Sequence, residues 1–190
     1  PMRYEGEGRE RWLTKEEADR LLADLPPHLA DIAAFSLVTG LRKANVLGLQ
    51  WKNVNLINRH AQISASQSKT KKAIPVPLNT EAIAIIRRQM GKHIEFIFTY
   101  KGKPIKRCNT PAWRKALKRV GIENFHWHDL RHTWASWHVQ NGTSLQELQQ
   151  LGGWSSFDMV LRYAHLSSNH LKKAAERIYV TNSLHLDCVV

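Results

Sequence analysis

Two arginines, a histidine and a tyrosine stand in short contexts that together suit one kind of chemistry. Arg42 closes Thr39-Gly40-Leu41-Arg42, His128 and Arg131 bracket His128-Asp129-Leu130-Arg131, and Tyr163 lies in Arg162-Tyr163-Ala164-His165. Arginine forks grip phosphate oxygens in pairs and stay charged at any working pH. A tyrosine hydroxyl can attack phosphorus and hold the product as a covalent ester. The four side chains therefore form a set able to open a phosphodiester without a metal ion. Each alone has a plainer explanation. Arg42 after a Thr-Gly turn is an ordinary solvated cap, His128 and Arg131 a helix-start histidine and a surface arginine, and Tyr163 a core residue whose hydroxyl finds a partner. Their order and contexts, taken together, favour the chemical explanation.

The elements that must position these groups are mostly helical. Thr14-Lys15-Glu16-Glu17 is a capping box, opening a helix through Leu21, Leu22 and Leu25 to Pro26-Pro27. A second apolar helix spans about His28 to Val38. Thr39-Gly40 turns the chain, and a short helix carries Val46, Leu47 and Leu49, which puts Arg42 at a helix–turn–helix junction. Over residues 51–78 the period changes. Val54, Leu56, Ala61, Ile63, Ile74 and Val76 alternate with polar residues, and Asn58-Arg59 and Ser68-Lys69-Thr70 form turns. This is a small antiparallel meander, whose last strand is placed at an edge by Pro75 and Pro77. Helices resume from Asn79 or Thr80 to Gly91, from Thr110-Pro111 to Gly121, from His128 to Asn141-Gly142, and from the capping box Ser144-Leu145-Gln146-Glu147 to Leu151-Gly152-Gly153. Phe157 to Ala164 and about His170 to Tyr179 complete the set. On the helix that starts at His128, the three-residue spacing puts His128 and Arg131 on one face, and Leu130, Trp134 and Trp137 on another facing the core. The expected fold class is mainly α with a small three-stranded antiparallel β-sheet.

Length and charge bound the partners. The 190 residues fit one domain with a sizeable core. Net charge is +12 and unevenly spread: residues 1–31 hold five Lys/Arg and eight Asp/Glu, the remainder 23 and eight. Between Lys101 and Arg119 lie eight basic residues and no acid. Such a surface suits a polyanion, because each neutralised phosphate releases condensed counterions. The two cysteines, Cys108 and Cys188, suggest neither a disulfide framework nor a zinc ribbon, and they fit a reducing cytosol. No segment reaches the length of a membrane span and no signal peptide opens the chain, so no membrane partner is expected. The start at Pro1, shortly before the first helix signal, suits a piece excised from a longer protein.

In its motifs the chain resembles the tyrosine recombinases, or phage integrase family, from about Leu13 to about Arg177. Thr-Gly-Leu-Arg with Val46-Leu47-Gly48-Leu49-Gln50-Trp51 is similar to the family's first arginine box, and His128-Asp129-Leu130-Arg131-His132-Thr133 to its second. Leu151-Gly152-Gly153-Trp154-Ser155-Ser156 and Met159-Val160-Leu161-Arg162-Tyr163-Ala164-His165 resemble the third histidine/tryptophan position and the nucleophile segment. The resemblance implies roles. Tyr163 is the nucleophile, Arg42 and Arg131 hold the nonbridging oxygens of the scissile phosphate, and His128 assists proton movement at the attacking phenol, whose free pKa is about 10. Lys69 resembles the family's hairpin lysine, the general acid for the leaving 5′ oxygen, with Lys71 and Lys72 as neighbouring alternatives. Trp154 replaces the commoner histidine. Its indole N–H can donate to a phosphate oxygen but cannot transfer a proton, so it binds and packs. His165 supports the local fold.

The same resemblance implies a site-specific recombinase, of a phage or genomic island, that cuts and rejoins strands through a 3′-phosphotyrosyl link. No cofactor and no metal would be required. Residues 1–178 would form the catalytic domain, with the N-terminal DNA-binding domains absent from this chain, and 179–190 a tail that could exchange between protomers. Partners would be double-stranded attachment-site DNA, further copies in a tetramer on DNA, and accessory directionality or DNA-bending proteins. The setting would be the bacterial host cytoplasm, at the nucleoid. Two other readings stand beside this one. One is a DNA-binding module that has lost catalysis. The other is a zinc protease, since His128 and His132 stand at i, i+4 on a helix with an acid between them. Against the latter, the acid is the short Asp129, Arg131 would oppose a dication, and no third ligand lies at a persuasive spacing.

Overall fold

A computed structural model describes residues 11–63 and 73–167. Helix α1 spans Lys15–Asp24, and its capping box is complete: the Glu17 amide donates to the Thr14 hydroxyl and the Thr14 amide to the Glu17 carboxylate. Leu25, extended, ends it before Pro26. Helix α2, Pro27–Thr39, begins on proline and stops at Gly40, whose φ of 62° is the left-handed cap that glycine adopts without a Cβ penalty. The short α3, Lys43–Leu47, follows with Arg42 as its N-cap residue, so the helix–turn–helix junction is where the pattern placed it. Leu49 lies just beyond α3, buried in the core.

The meander is present as β1 (Val54–Asn55), β2 (His60–Ile63) and β3 (Ile74–Pro77), antiparallel in the order β1-β2-β3. Ala61 faces Val54 on one side and Val76 on the other, so the alternating residues meet in register. β3 is an edge strand, as its prolines require. The turn residues Ser68-Lys69-Thr70, and with them Lys69, Lys71 and Lys72, lie outside the described residues, as do the expected helix from about His170 and the tail.

After α4 (Thr80–Arg87), capped by the Asn79 side chain, comes a feature that periodicity did not reveal. Strands β4 (Thr99–Tyr100) and β5 (Lys103–Pro104) form a two-stranded hairpin whose central residues, Lys101 and Gly102, have φ of 52° and 72°. Both central residues are left-handed, as a tight hairpin matching strand twist demands. Helix α5 (Pro111–Arg119) carries basic residues on its exposed side and buries Trp113, Ala116 and Leu117. Every basic residue from Lys101 to Arg119 is exposed, and Arg119 pairs with Asp24.

Helices α6 (Asp129–Gln140) and α7 (Leu145–Gly152), the second also with a complete capping box, lead to α8. The expected helix from Phe157 to Ala164 is broken. α8 covers only Asp158–Leu161, Tyr163 follows in a turn, and a 3₁₀ turn spans Ala164–Ser167. The reason is the burial of Tyr163. Its amide bonds to the Val160 carbonyl three residues back, which tightens the chain and turns the ring inward.

Helix α6 is the axis of the molecule. It packs against α2 on one side and α7 on the other. Leu130 belongs to the main core, with Leu21, Ile32, Phe35, Ile86 and Trp113, whereas Trp134, Ala135 and Val139 join Leu148, Val160 and Tyr163 in a second cluster. The entry to α1 is fastened to α6 by Leu13, whose amide donates to the Thr133 hydroxyl and whose carbonyl accepts from the Trp137 indole. No helix among the described residues is long and apolar enough to cross a membrane.

Candidate active site

Arg131 lies at the centre. Its position in α6, between two helices, makes it 5% exposed, which rules out the surface arginine of the plainer explanation. One guanidinium nitrogen, Nη1, donates to the carbonyl of Gly40 at 2.5 Å, and the other, Nη2, to the carbonyl of Gly152 at 2.6 Å. Gly40 ends α2 and Gly152 ends α7, so two helix C-termini aim their unpaired carbonyls at one cation. Each end carries about half a negative charge. Among the described residues no carboxylate forms an ion pair with Arg131. The guanidinium is thus fixed by dipoles. Of its five N–H groups the two backbone ties use two.

Both glycines are sterically necessary. A Cβ on Gly40 would stand 2.2 Å from the Trp134 ring, and one on Gly152 would stand 2.1 Å from the Trp154 ring. Each indole therefore covers a glycine whose carbonyl holds Arg131. The Trp154 ring also receives the guanidinium face, with Cζ 4.1 Å from the ring centroid. Trp154 thus packs on both the guanidinium and the glycine beside it. Gly40→Ala adds a strained positive φ, about 1–3 kcal/mol, to an overpacked indole contact of about 1–3 kcal/mol. The expected outcome is a lower denaturation midpoint, measured by urea unfolding, together with impaired cleavage through the displaced carbonyl.

Arg42 follows Gly40 by two residues and is half-buried. Its charge, after burial, helps push the pKa of Arg131 down, to about 9, while the Tyr163 phenol acts in the opposite sense. Arg131 remains protonated at neutral pH. Two like charges held close together, with no carboxylate paired to Arg131 among the described residues, favour an anion as their common partner.

Tyr163 is 5% exposed, its ring in the second cluster, with centroid 6.2 Å from that of Trp154. It is a core residue with a bonded hydroxyl, as the plainer explanation had it, and it also stands on the arginine side of the molecule. Among the described residues, His132 is bonded to its hydroxyl: the phenol oxygen and the His132 Nδ1 are 2.5 Å apart. Burial first, then the charges of His128 and Arg162, push the His132 pKa down to about 4, so the ring is neutral at pH 7. In its Nε2–H tautomer, Nδ1 accepts the phenol hydrogen. His128, exposed at the start of α6, sets its ring edge-on to His132 at 5.1 Å between centroids. Sequence reasoning gave His132 no role in phosphodiester chemistry. The signal that points to it is its i, i+4 spacing from His128, which in sequence alone matches a metal pattern. His165 is exposed, with its ring tilted toward Trp12 at 6.4 Å, which agrees with a local structural role. Among the described residues no group of three or more His, Cys, Asp or Glu could hold a metal ion. Cys108 is buried, and desolvation pushes its thiol up to about 12, which leaves it unreactive.

This fold has counterparts among solved structures. The catalytic domain of bacteriophage HP1 integrase superposes with a TM-score of 0.69 at 26% identity, covering 90% of this chain and 96% of that one. The Tn1549 transposon integrase, solved in complex with a circular intermediate DNA, gives a TM-score of 0.74 at 19% identity over 92% of this chain and 68% of that one. The chain belongs to the phage integrase family, whose profile matches residues 11–170. It is 43% identical over 181 residues to the integrase of Salmonella phage P22, covering 88% of this chain and 47% of that protein. It is 31% identical over 163 residues to a shufflon-specific DNA recombinase of Escherichia coli, covering 84% of this chain and 41% of that one. The chain thus spans about half the length of the curated relatives it matches.

Proposed function

We propose that this chain is the catalytic domain of a site-specific DNA recombinase that cuts and rejoins strands through a 3′-phosphotyrosyl intermediate. The observation that carries it is the buried Arg131, tied to two glycine carbonyls, with no carboxylate paired to it among the described residues, and electrostatically coupled to both Arg42 and Tyr163. Arg42 and Arg131 take the nonbridging oxygens of the scissile phosphate. Negative charge builds there in the pentavalent transition state, so fixed cations stabilise it more than the ground state. Tyr163 attacks phosphorus, the P–O5′ bond breaks, and the strand's 3′ phosphate remains on the phenol. The leaving 5′ oxygen takes a proton from Lys69, or from Lys71 or Lys72 in the same turn. His128 assists proton movement at the attacking phenol, and Trp154 binds and packs, its indole N–H able to donate to a phosphate oxygen. Ligation reverses these steps on a partner strand's 5′ hydroxyl, so the bond energy is conserved and no ATP is consumed.

The partners follow from the same reading: double-stranded attachment-site DNA, a tetramer of this protein assembled on it, accessory directionality or DNA-bending proteins, and a setting in the bacterial host cytoplasm. The exposed basic run from Lys101 to Arg119 supports the first of these. DNA affinity is expected to fall steeply with salt, log K dropping by about 0.9 per phosphate contact for each tenfold rise. Fluorescence anisotropy across a salt series checks this, and affinity that ignores salt contradicts it. The reading as a whole is tested with a nicked trap substrate, from which the short fragment bearing the new 5′ hydroxyl diffuses away after cleavage. A DNA-linked band on denaturing electrophoresis is the expected result, and its absence from protein that binds the same DNA favours the decayed module.

A further inference from the structure

We propose that His132 is the proton acceptor for Tyr163 during strand cleavage and returns the proton during ligation. The inference rests on Tyr163 being the nucleophile, and it shifts proton handling by a helical turn along α6, away from His128. Three observations carry it. First, the phenol oxygen and Nδ1 are 2.5 Å apart, within direct transfer distance, with no intervening group. Second, both groups are shielded from bulk water. His132 is half-buried, Tyr163 is buried, and Arg11, Trp12, Arg162 and His165 line a small cavity with them. Third, the ring is held in the basic form. Among the described residues, the charged and titratable groups around it are His128, Asp129 and Arg131 from its own helix, Arg162, Tyr163 and His165 from the nucleophile segment, and Arg11, itself paired with Glu17, from the N-terminal approach. Burial first, then the charges of His128 and Arg162, keep a proton off Nδ1 until one arrives from the phenol.

In cleavage the phenol O–H breaks and its proton passes to Nδ1. The phenolate oxygen forms a bond to phosphorus as the P–O5′ bond breaks, and the 5′ oxygen is protonated by the hairpin acid. In ligation the 5′ hydroxyl attacks, the P–O bond to Tyr163 breaks, and the proton on Nδ1 goes back to the phenolate. A neutral imidazole of low basicity is a weak acceptor for a phenol. The transfer therefore accompanies bond formation: as the oxygen bonds to phosphorus its hydrogen becomes far more acidic, and the neutral Nδ1 at hydrogen-bond distance can take it.

The test is a single-turnover cleavage assay on a substrate whose scissile 5′ oxygen is replaced by sulfur. That leaving group departs as a thiolate without a proton, so the rate reports the nucleophile's proton alone. His132→Asn keeps a hydrogen-bond acceptor near the phenol but cannot take up a proton. At pH 7 its rate is expected to fall by on the order of a hundredfold, the usual scale of general base catalysis. As pH rises toward the ionisation of the phenol itself, near pH 10, the deficit should close. The wild-type rate should stay level through neutral pH and drop only in acid, as Nδ1 takes a proton from solvent. A fluorinated tyrosine at position 163, with its more acidic phenol, should restore much of the loss in the His132→Asn background. A deficit constant across pH, unrelieved by the acidic phenol, would mean that His132 only packs and orients, and an unchanged rate at pH 7 would dismiss it altogether. Should the asparagine variant not fold, His132→Gln supports the same comparison. Tyr163→Phe separates the two levels. If adducts persist in that variant the nucleophile assignment fails, whereas if they vanish and the His132→Asn profile stays parallel to wild type only the proton acceptor fails.

Discussion

Tyr163→Phe is expected to eliminate the covalent protein–DNA adduct while leaving DNA affinity close to that of the unaltered chain. The loss is absolute because no other step can replace the attacking oxygen. Affinity survives because the oxygen is not among the groups that hold the phosphate. In the proposed mechanism those are the guanidiniums of Arg42 and Arg131 and the surface lysines. The fold survives as well. Phenylalanine retains the ring that packs with Trp134, Leu148 and Val160 and, among the described residues, gives up the hydrogen bond to His132. That bond contributes about 0.5–1.5 kcal/mol, a small fraction of a domain's stability. Electrophoresis of the trap reaction and an anisotropy titration of the same preparation check both halves. A variant that neither forms adducts nor binds DNA would show that the phenol belongs to the phosphate grip.

Arg131→Ala is expected to do damage on two fronts. Cleavage should fall by roughly a hundredfold or more, since the transition state loses a fixed cation. Stability should fall too. The Gly40 and Gly152 carbonyls lose their partner, at about 1–3 kcal/mol for each one left buried and unbonded. The face of Trp154 loses the group that lies on it. Arg131→Lys divides the two effects. It restores a charge but not the planar fork that reaches both carbonyls at once, so it should recover some of the stability and little of the rate. Urea denaturation and single-turnover cleavage on the same samples give the comparison. Equal recovery of both by lysine would show that charge alone, without the fork, is what α2 and α7 hold in place.

Local rules went far in this chain, and where they stopped has physical causes. The capping boxes at Thr14 and Ser144, the Thr110-Pro111 start and the prolines of β3 each act within a few residues, so they could be read directly. Arg42 could be placed at a helix–turn–helix junction because Thr39-Gly40 announces the left-handed cap. The β4–β5 hairpin could not, since its strands are two residues each and its turn puts Lys101, with no special tolerance for it, at positive φ. The end of α8 was misplaced because burial of Tyr163, a tertiary effect, overrides a helical pattern that runs on to Ala164. The four motif groups were legible as chemistry. What secures Arg131 was not, because the carbonyls of Gly40 and Gly152 are brought to it only when α2 and α7 close on α6. His132 carried a readable spacing, but the residue it serves stands 31 positions away.

The most direct measurement is to trap the protein on nicked DNA, digest the adduct and sequence the peptide that carries the nucleotide. The expected result is a single modified residue, Tyr163, joined to the 3′ phosphate of the cleaved strand. Attachment through any other side chain, or to a 5′ phosphate, would contradict it.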